Sequence, residues 1–157
     1  MTTLIVYFSW QGHTRKVVST LAQQLKTECM EIEPAGPVRI GREAMKALFS
    51  MKSPIKPIKT DMSDVDTLII ASPVWSGKVP PYVNEYLDHV ENGTVKPFFV
   101  IVEMGGKGAK SAVAAVRKRL EKKGMIFVSS EVTIEKDVES DEYKKTIDAF
   151  AQDIQKG

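Results

Sequence analysis

The chain has a single cysteine, Cys29, and only two histidines among 157 residues. One thiol cannot close an intramolecular disulfide, and so few ligands build neither a zinc site nor an iron–sulfur centre. Long apolar runs are missing as well: none approaches the roughly 20 residues that a membrane-spanning helix needs, so no membrane partner is expected. Net charge is small, with 22 basic residues against 20 acidic ones leaving +2. That is too little for a protein held on a phosphate backbone, and no nucleic-acid partner is expected. The opening residues Met1-Thr2-Thr3-Leu4 show no basic leader and no small-residue cleavage site, from which a cytoplasmic location is expected. Cys29 lies on an apolar stretch and reads as a core thiol without chemistry.

What the chain has in quantity is alternation. Leu4 to Phe8 is a near-continuous apolar run, and Thr14 to Leu25 then places Val17, Val18, Leu21, Ala22 and Leu25 at helical spacing. The pattern returns as Thr67–Ala71 with Val83–Val90, Phe98–Val102 with Ala109–Leu120, and Met125–Val128 with Tyr143–Ile154. A shorter strand at Cys29–Ile32 and a weaker helix at Glu43–Met51 complete five strand-helix units. Right-handed crossovers and this length predict one α/β domain over residues 1–157. Its core is a doubly wound five-stranded parallel sheet of order 2-1-3-4-5 between two helical layers. Ligands of such sheets sit beyond the carboxyl ends of the strands at the switch point, which points to the loops after strands one, three and four.

Those loops are unusual. After strand one, Ser9-Trp10-Gln11-Gly12-His13-Thr14 leads into a helix. It aims free N–H groups and the helix dipole at one point, as a phosphate monoester requires, although a helix capped by its own polar residues has the same look. It is no Walker loop, no Gly-x-Gly-x-x-Gly turn, and it has no cysteine nucleophile. After strand three, Pro73-Val74-Trp75-Ser76-Gly77 sets a large aromatic where it can offer a face to a planar ring or simply cover the sheet edge. After strand four, Glu103-Met104-Gly105-Gly106-Lys107-Gly108 lets backbone approach a heterocycle closely, or forms an ordinary flexible turn. All three loops at one crevice favour a shared ligand.

The order of Leu4-to-Thr14, Ser72-to-Gly77 with Pro80-Pro81 behind it, and Glu103-to-Gly106 resembles the flavodoxin family, short-chain kind, over nearly the whole chain. The resemblance implies a noncovalent FMN that carries electrons between redox partner proteins. It implies that Ser9, Gln11, Gly12, His13 and Thr14, with the Trp10 amide, wrap the phosphate. Pro73, Val74, Trp75, Ser76 and Gly77 would line the isoalloxazine, and Glu103, Met104, Gly105 and Gly106 would meet its pyrimidine edge. No catalytic residue and no metal ligand is implied. Gln11 and His13 depart from the hydroxyl and asparagine common in that family, and the chain lacks the family's acidity. The alternative on the same fold is an NAD(P)H-dependent quinone or FMN reductase, in which the basic Arg39-to-Lys59 stretch could meet a nicotinamide phosphate. Two segments are strongly basic: Gly36–Thr60 with a local +5 and Lys107–Lys123 with a local +6.

Overall fold

The computed structural model describes residues 1–157. Its elements are β1 (Thr3–Tyr7), α1 (His13–Leu25), β2 (Glu28–Glu31), α2 (Ile40–Leu48), β3 (Thr67–Pro73) and α3 (Pro81–His89). They continue with β4 (Pro97–Met104), α4 (Ala109–Glu121), β5 (Ile126–Ile134), α5 (Glu135–Glu139) and α6 (Tyr143–Lys156). All five strands run parallel in the order β2-β1-β3-β4-β5, as the sequence predicts. No helix is long and apolar enough to cross a membrane.

The side-chain period of two sorts each central strand between two cores. Leu4, Val6, Leu68, Ile70, Phe98, Val100 and Val102 face α3 and α4. Ile5, Tyr7, Ile69, Ala71, Phe99 and Ile101 face α1, α5 and α6. Burying each of these Leu, Ile, Val or Phe side chains is worth about 1.5–3 kcal/mol, which is why the apolar runs become the middle of the sheet. The β1 strand pairs with β2 on one side and β3 on the other, so the loops after β1 and β3 diverge to opposite faces and leave a crevice between them.

Three expectations fail. The last strand spans nine residues instead of ending at Val128. It is an edge strand, so Ser129, Ser130 and Glu131 can pair with β4 without being sealed from water. Cys29 is exposed, because β2 is the other edge strand. Helix α2 begins at Ile40 and is turned inside out: Glu43 and Ala47 are its buried residues, while Met45 and Leu48 stand in solvent. The cause is a polar anchor. The Glu43 carboxylate accepts the Ser53 hydroxyl, Lys46 Nζ donates to Ser53 Oγ at 2.9 Å, and Arg42 Nε lies 3.5 Å from Glu43. A carboxylate is costly to bury without such company, and this company fixes which face of α2 turns inward.

Candidate functional site

The loops after β1, β3 and β4 converge on a cleft of about 400 Å³. Its walls include Ser9, Trp10, Gln11, His13, Thr14, Pro73, Val74, Trp75, Ser76, Glu103 and Gly105, all anticipated from sequence. Gly12, Gly77, Met104 and Gly106 are not in the wall. Gly12 supplies a left-handed turn (φ 95°) at the start of α1. Met104 is partly buried and packs against the core cluster, as Val74 and Trp75 also do. Gly77 and Gly106 are backbone beside the cleft.

At the α1 end the chain leaves donors unpaired. The Ser9 hydroxyl oxygen accepts the N–H groups of Gly12 (3.1 Å) and Arg15 (3.3 Å). The N–H groups of Trp10, Gln11, His13 and Thr14 find no backbone acceptor, and the Thr14 hydroxyl, on a residue only 2% exposed, makes no hydrogen bond. Orphan donors of a first helical turn beside a cleft suit an anion with several oxygens, and the phosphate of FMN fits that set.

The opposite wall is a tight hairpin. Trp75 N–H donates to the Lys78 carbonyl (2.7 Å), and Lys78 N–H returns the bond to Trp75 (2.8 Å). Both central residues have positive φ, Ser76 at 52° and Gly77 at 71°, as a type I′ turn demands. Reversing the Ser76–Gly77 peptide would move Ser76 into a region that only glycine adopts readily, so the turn is stiffer than Gly77 alone suggests. Val74 N–H donates to the Glu103 carbonyl at 2.9 Å and ties the turn to the end of β4. The Trp75 ring meets Phe8 edge-on at 5.8 Å and Trp10 edge-on at 6.4 Å, and Phe8 in turn stacks on Tyr82 at 5.2 Å. Trp75 is thereby held from behind, while Trp10, 46% exposed, is the outermost of the row.

Sequence reasoning missed four contributors. Ile40 and Ala44 of α2 add an apolar wall. The short helix α5 brings Glu135 to 3.8 Å from His13 Nδ1 and Glu139 to 3.4 Å from His13 Nε2. Glu139 stands in the sequence just ahead of the last helix, yet its partner is the histidine of the α1 turn. No signal in the chain marks this, because it depends on how far β5 runs before α5 begins. Gly108, already singled out in the sequence as part of the loop after β4, has a packing role. It has φ +103°, and a Cβ there would stand 2.8 Å from the Gly77 Cα, so the third glycine of the loop lets α4 begin in close contact with the hairpin.

Glu103 is 8% exposed, borders the cleft, and its carboxylate has no hydrogen-bond partner. Burial pushes its pKa above the usual carboxyl range; His13 pulls the other way, and Glu135 and Glu139 add to the rise. A carboxyl whose pKa is raised by folding costs nothing below its unfolded pKa and opposes the fold as pH climbs through the folded value. Glu103→Gln is therefore expected to stabilise the protein near neutral pH and leave it unchanged in acid. Urea midpoints at the two pH values check this; an equal shift at both would remove the carboxylate's charge from the explanation.

A family model, NADPH-dependent FMN reductase, matches residues 1–139. Among solved structures, a flavoprotein in complex with FMN from Lactobacillus acidophilus superposes with a TM-score of 0.73 at 22% identity, covering 90% of this chain and 97% of that one. A flavodoxin from the domain Archaea has a TM-score of 0.63 at 14% identity, over 99% of both chains. Flavodoxin 2 from Bacillus cereus has 0.59 at 21%, over 98% of this chain and 99% of that one. At these identities the likeness establishes the fold. No curated relative matches the chain. With the matched model spanning the sheet, the α1 turn and the loops after β3 and β4, the chain belongs to the NADPH-dependent FMN reductase family of flavodoxin-like FMN proteins.

Proposed function

We propose that this chain is an electron-transfer protein that holds one FMN and passes its electrons to and from redox partner proteins. The observation that carries the reading is the cleft. At about 400 Å³ it lies near the small end of ligand sites, which run from about 300 to 1,000 Å³. It has room for one mononucleotide, with the unpaired donors of the α1 turn at one end and two tryptophans at the other.

Bound FMN would supply the redox chemistry, taking up and releasing one or two electrons. The chain's own residues bind and tune. Trp10, Gln11, His13 and Thr14 donate N–H groups to the phosphate, with the Thr14 hydroxyl beside them. Trp75, braced by Phe8, offers area to the ring, and the Trp75–Lys78 hairpin keeps that wall in place. Glu103 sets a negative or proton-bearing group against the cleft, where a retained charge disfavours added negative charge on a neighbour. Glu135 and Glu139 hold the His13 ring and offset part of the positive field of the turn.

A second reading, direct reduction by NADPH, is favoured by the family match and by the apolar wall of Ile40 and Ala44, against which a second ring could lie. The two readings separate under anaerobic conditions. On the carrier reading, NADPH alone leaves the flavin absorbance of the loaded protein standing, and an added flavodoxin reductase bleaches it. Bleaching by NADPH alone within seconds would establish the reductase instead.

A further inference from the structure

The stretch Gly36–Thr60 has six cations and one carboxylate. That carboxylate, Glu43, is buried, so the stretch shows solvent no negative charge. Its apolar side chains do the opposite: Met45 (64%), Leu48 (53%), Phe49 (69%) and Met51 (51%) form an exposed ridge. The Glu43–Ser53–Lys46 anchor holds them outward, and Asn84 Nδ2 pins the end of the ridge by donating to the Met51 carbonyl at 2.9 Å. A patch of large apolar side chains kept in solvent by a buried polar anchor marks a surface made to be covered.

Beside the ridge runs a groove of about 700 Å³ lined by Lys52, Lys78, Lys118, Arg119, Lys122 and Lys123, with Asp88 as its one carboxylate. Asp88 is already engaged by Lys52 (3.1 Å) and Arg119 (2.5 Å), and its carbonyl accepts from Lys123 (2.7 Å). Lys78, Lys118 and Lys122 have no acidic partner in the chain. One hairpin serves both: Lys78 lines the groove and closes the turn whose Ser76 lines the cleft wall.

We propose that ridge and groove together are the docking surface for an acidic redox protein, one whose exposed acidic loop enters the groove while an apolar patch covers Met45, Leu48, Phe49 and Met51. The proposal rests on the electron-transfer reading of the cleft. An apolar centre flanked by unpaired charge is the anatomy of a specific interface, and the charge sets partner choice and encounter rate. The cations line a concavity, which a protruding acidic loop can fill and a broad bilayer surface cannot. A second copy seated face to face would bring the same cations against these and be repelled.

The test uses the FMN-loaded chain and an acidic plant-type [2Fe–2S] ferredoxin as probe, with basic cytochrome c as control, titrated by NMR at low and high salt. Ferredoxin is expected to bind at low salt, to shift the amides of α2 and of Lys78, Lys118 and Lys122, and to weaken as salt rises. The Lys118→Glu/Lys122→Glu double variant is expected to weaken binding about tenfold or more, and Phe49→Ser to weaken it at unchanged salt dependence, both with FMN affinity intact. The proposal is overturned if ferredoxin does not bind or binds both variants as tightly as the parent. It is equally overturned if cytochrome c binds as well, if phosphatidylglycerol vesicles capture the protein more strongly than ferredoxin does, or if sedimentation shows the ridge buried in a homodimer. A chain that refuses FMN yet binds ferredoxin in this pattern would sink the reading of the cleft and leave the docking surface standing.

Discussion

Replacing Gly108 by alanine is expected to lower the unfolding free energy by about 2–4 kcal/mol and to weaken FMN binding with it. Two costs add. At φ +103° a side chain is strained wherever it has room, and here it has none: the new Cβ would meet Gly77 Cα at 2.8 Å, Gly77 N at 3.4 Å and Val74 Cγ1 at 3.3 Å. The atoms in the way are chiefly backbone, held by the paired bonds between Trp75 and Lys78 and by Val74 N–H on the Glu103 carbonyl. Relief therefore means moving the hairpin, and with it the wall of the cleft. Gly106→Ala is the control. It has no neighbour within 4 Å and no positive φ, so its stability should stay within about 0.5 kcal/mol of the parent. Urea unfolding followed by circular dichroism measures both, and an alanine at 108 as harmless as one at 106 would refute the clamp.

Trp75→Ala is expected to weaken FMN binding by about 1–3 kcal/mol, or roughly 5- to 150-fold in Kd, through lost contact area against the ring. The same change removes two edge-on aromatic contacts, with Phe8 and Trp10, each worth about 0.5–1.5 kcal/mol. Stability should drop alongside affinity. Trp10→Ala removes one such contact from a ring nearly half exposed, so it should cost less on both counts. Calorimetric titration with FMN on the three proteins distinguishes the tryptophans. Unchanged affinity in Trp75→Ala with a large loss in Trp10→Ala would assign the stacking face to Trp10.

How far the sequence could be read depends on where its signals come from. The strands at Leu4, Thr67 and Phe98 are legible because they are buried on both faces and so must be apolar throughout. The loop after β1 is legible because a turn into a helix needs short polar residues and Gly12 in a left-handed conformation. Edges are harder. On β5 burial alternates and polar residues are tolerated, so the apolar run ends well before the strand does. Cys29 misleads for the same reason, sitting in a strand that only one neighbour covers. Helix α2 defeats periodicity outright: Ala44, Leu48, Met45 and Phe49 have the spacing of a buried face, yet Glu43 with Ser53 and Lys46 decides the orientation, and Ser53 lies ten residues beyond Glu43. The pairing of His13 with Glu135 and Glu139 joins residues more than 120 positions apart and has no local signature. In the cleft itself, residue types sufficed to bring Ser9, Thr14, Trp75 and Glu103 to one wall; Met104 lies outside that wall, partly buried against the core.

The central claim is that a phosphate monoester lodges on the unpaired N–H groups where α1 begins and so anchors the flavin. Calorimetric titration of the flavin-free protein with FMN and, separately, with riboflavin tests it most directly. Several charge-assisted hydrogen bonds, each worth about 1.5–3 kcal/mol, distinguish the two ligands, so FMN is expected to bind one to one and at least roughly a hundredfold more tightly. Equal affinity for the two, or no uptake of either, would contradict the account.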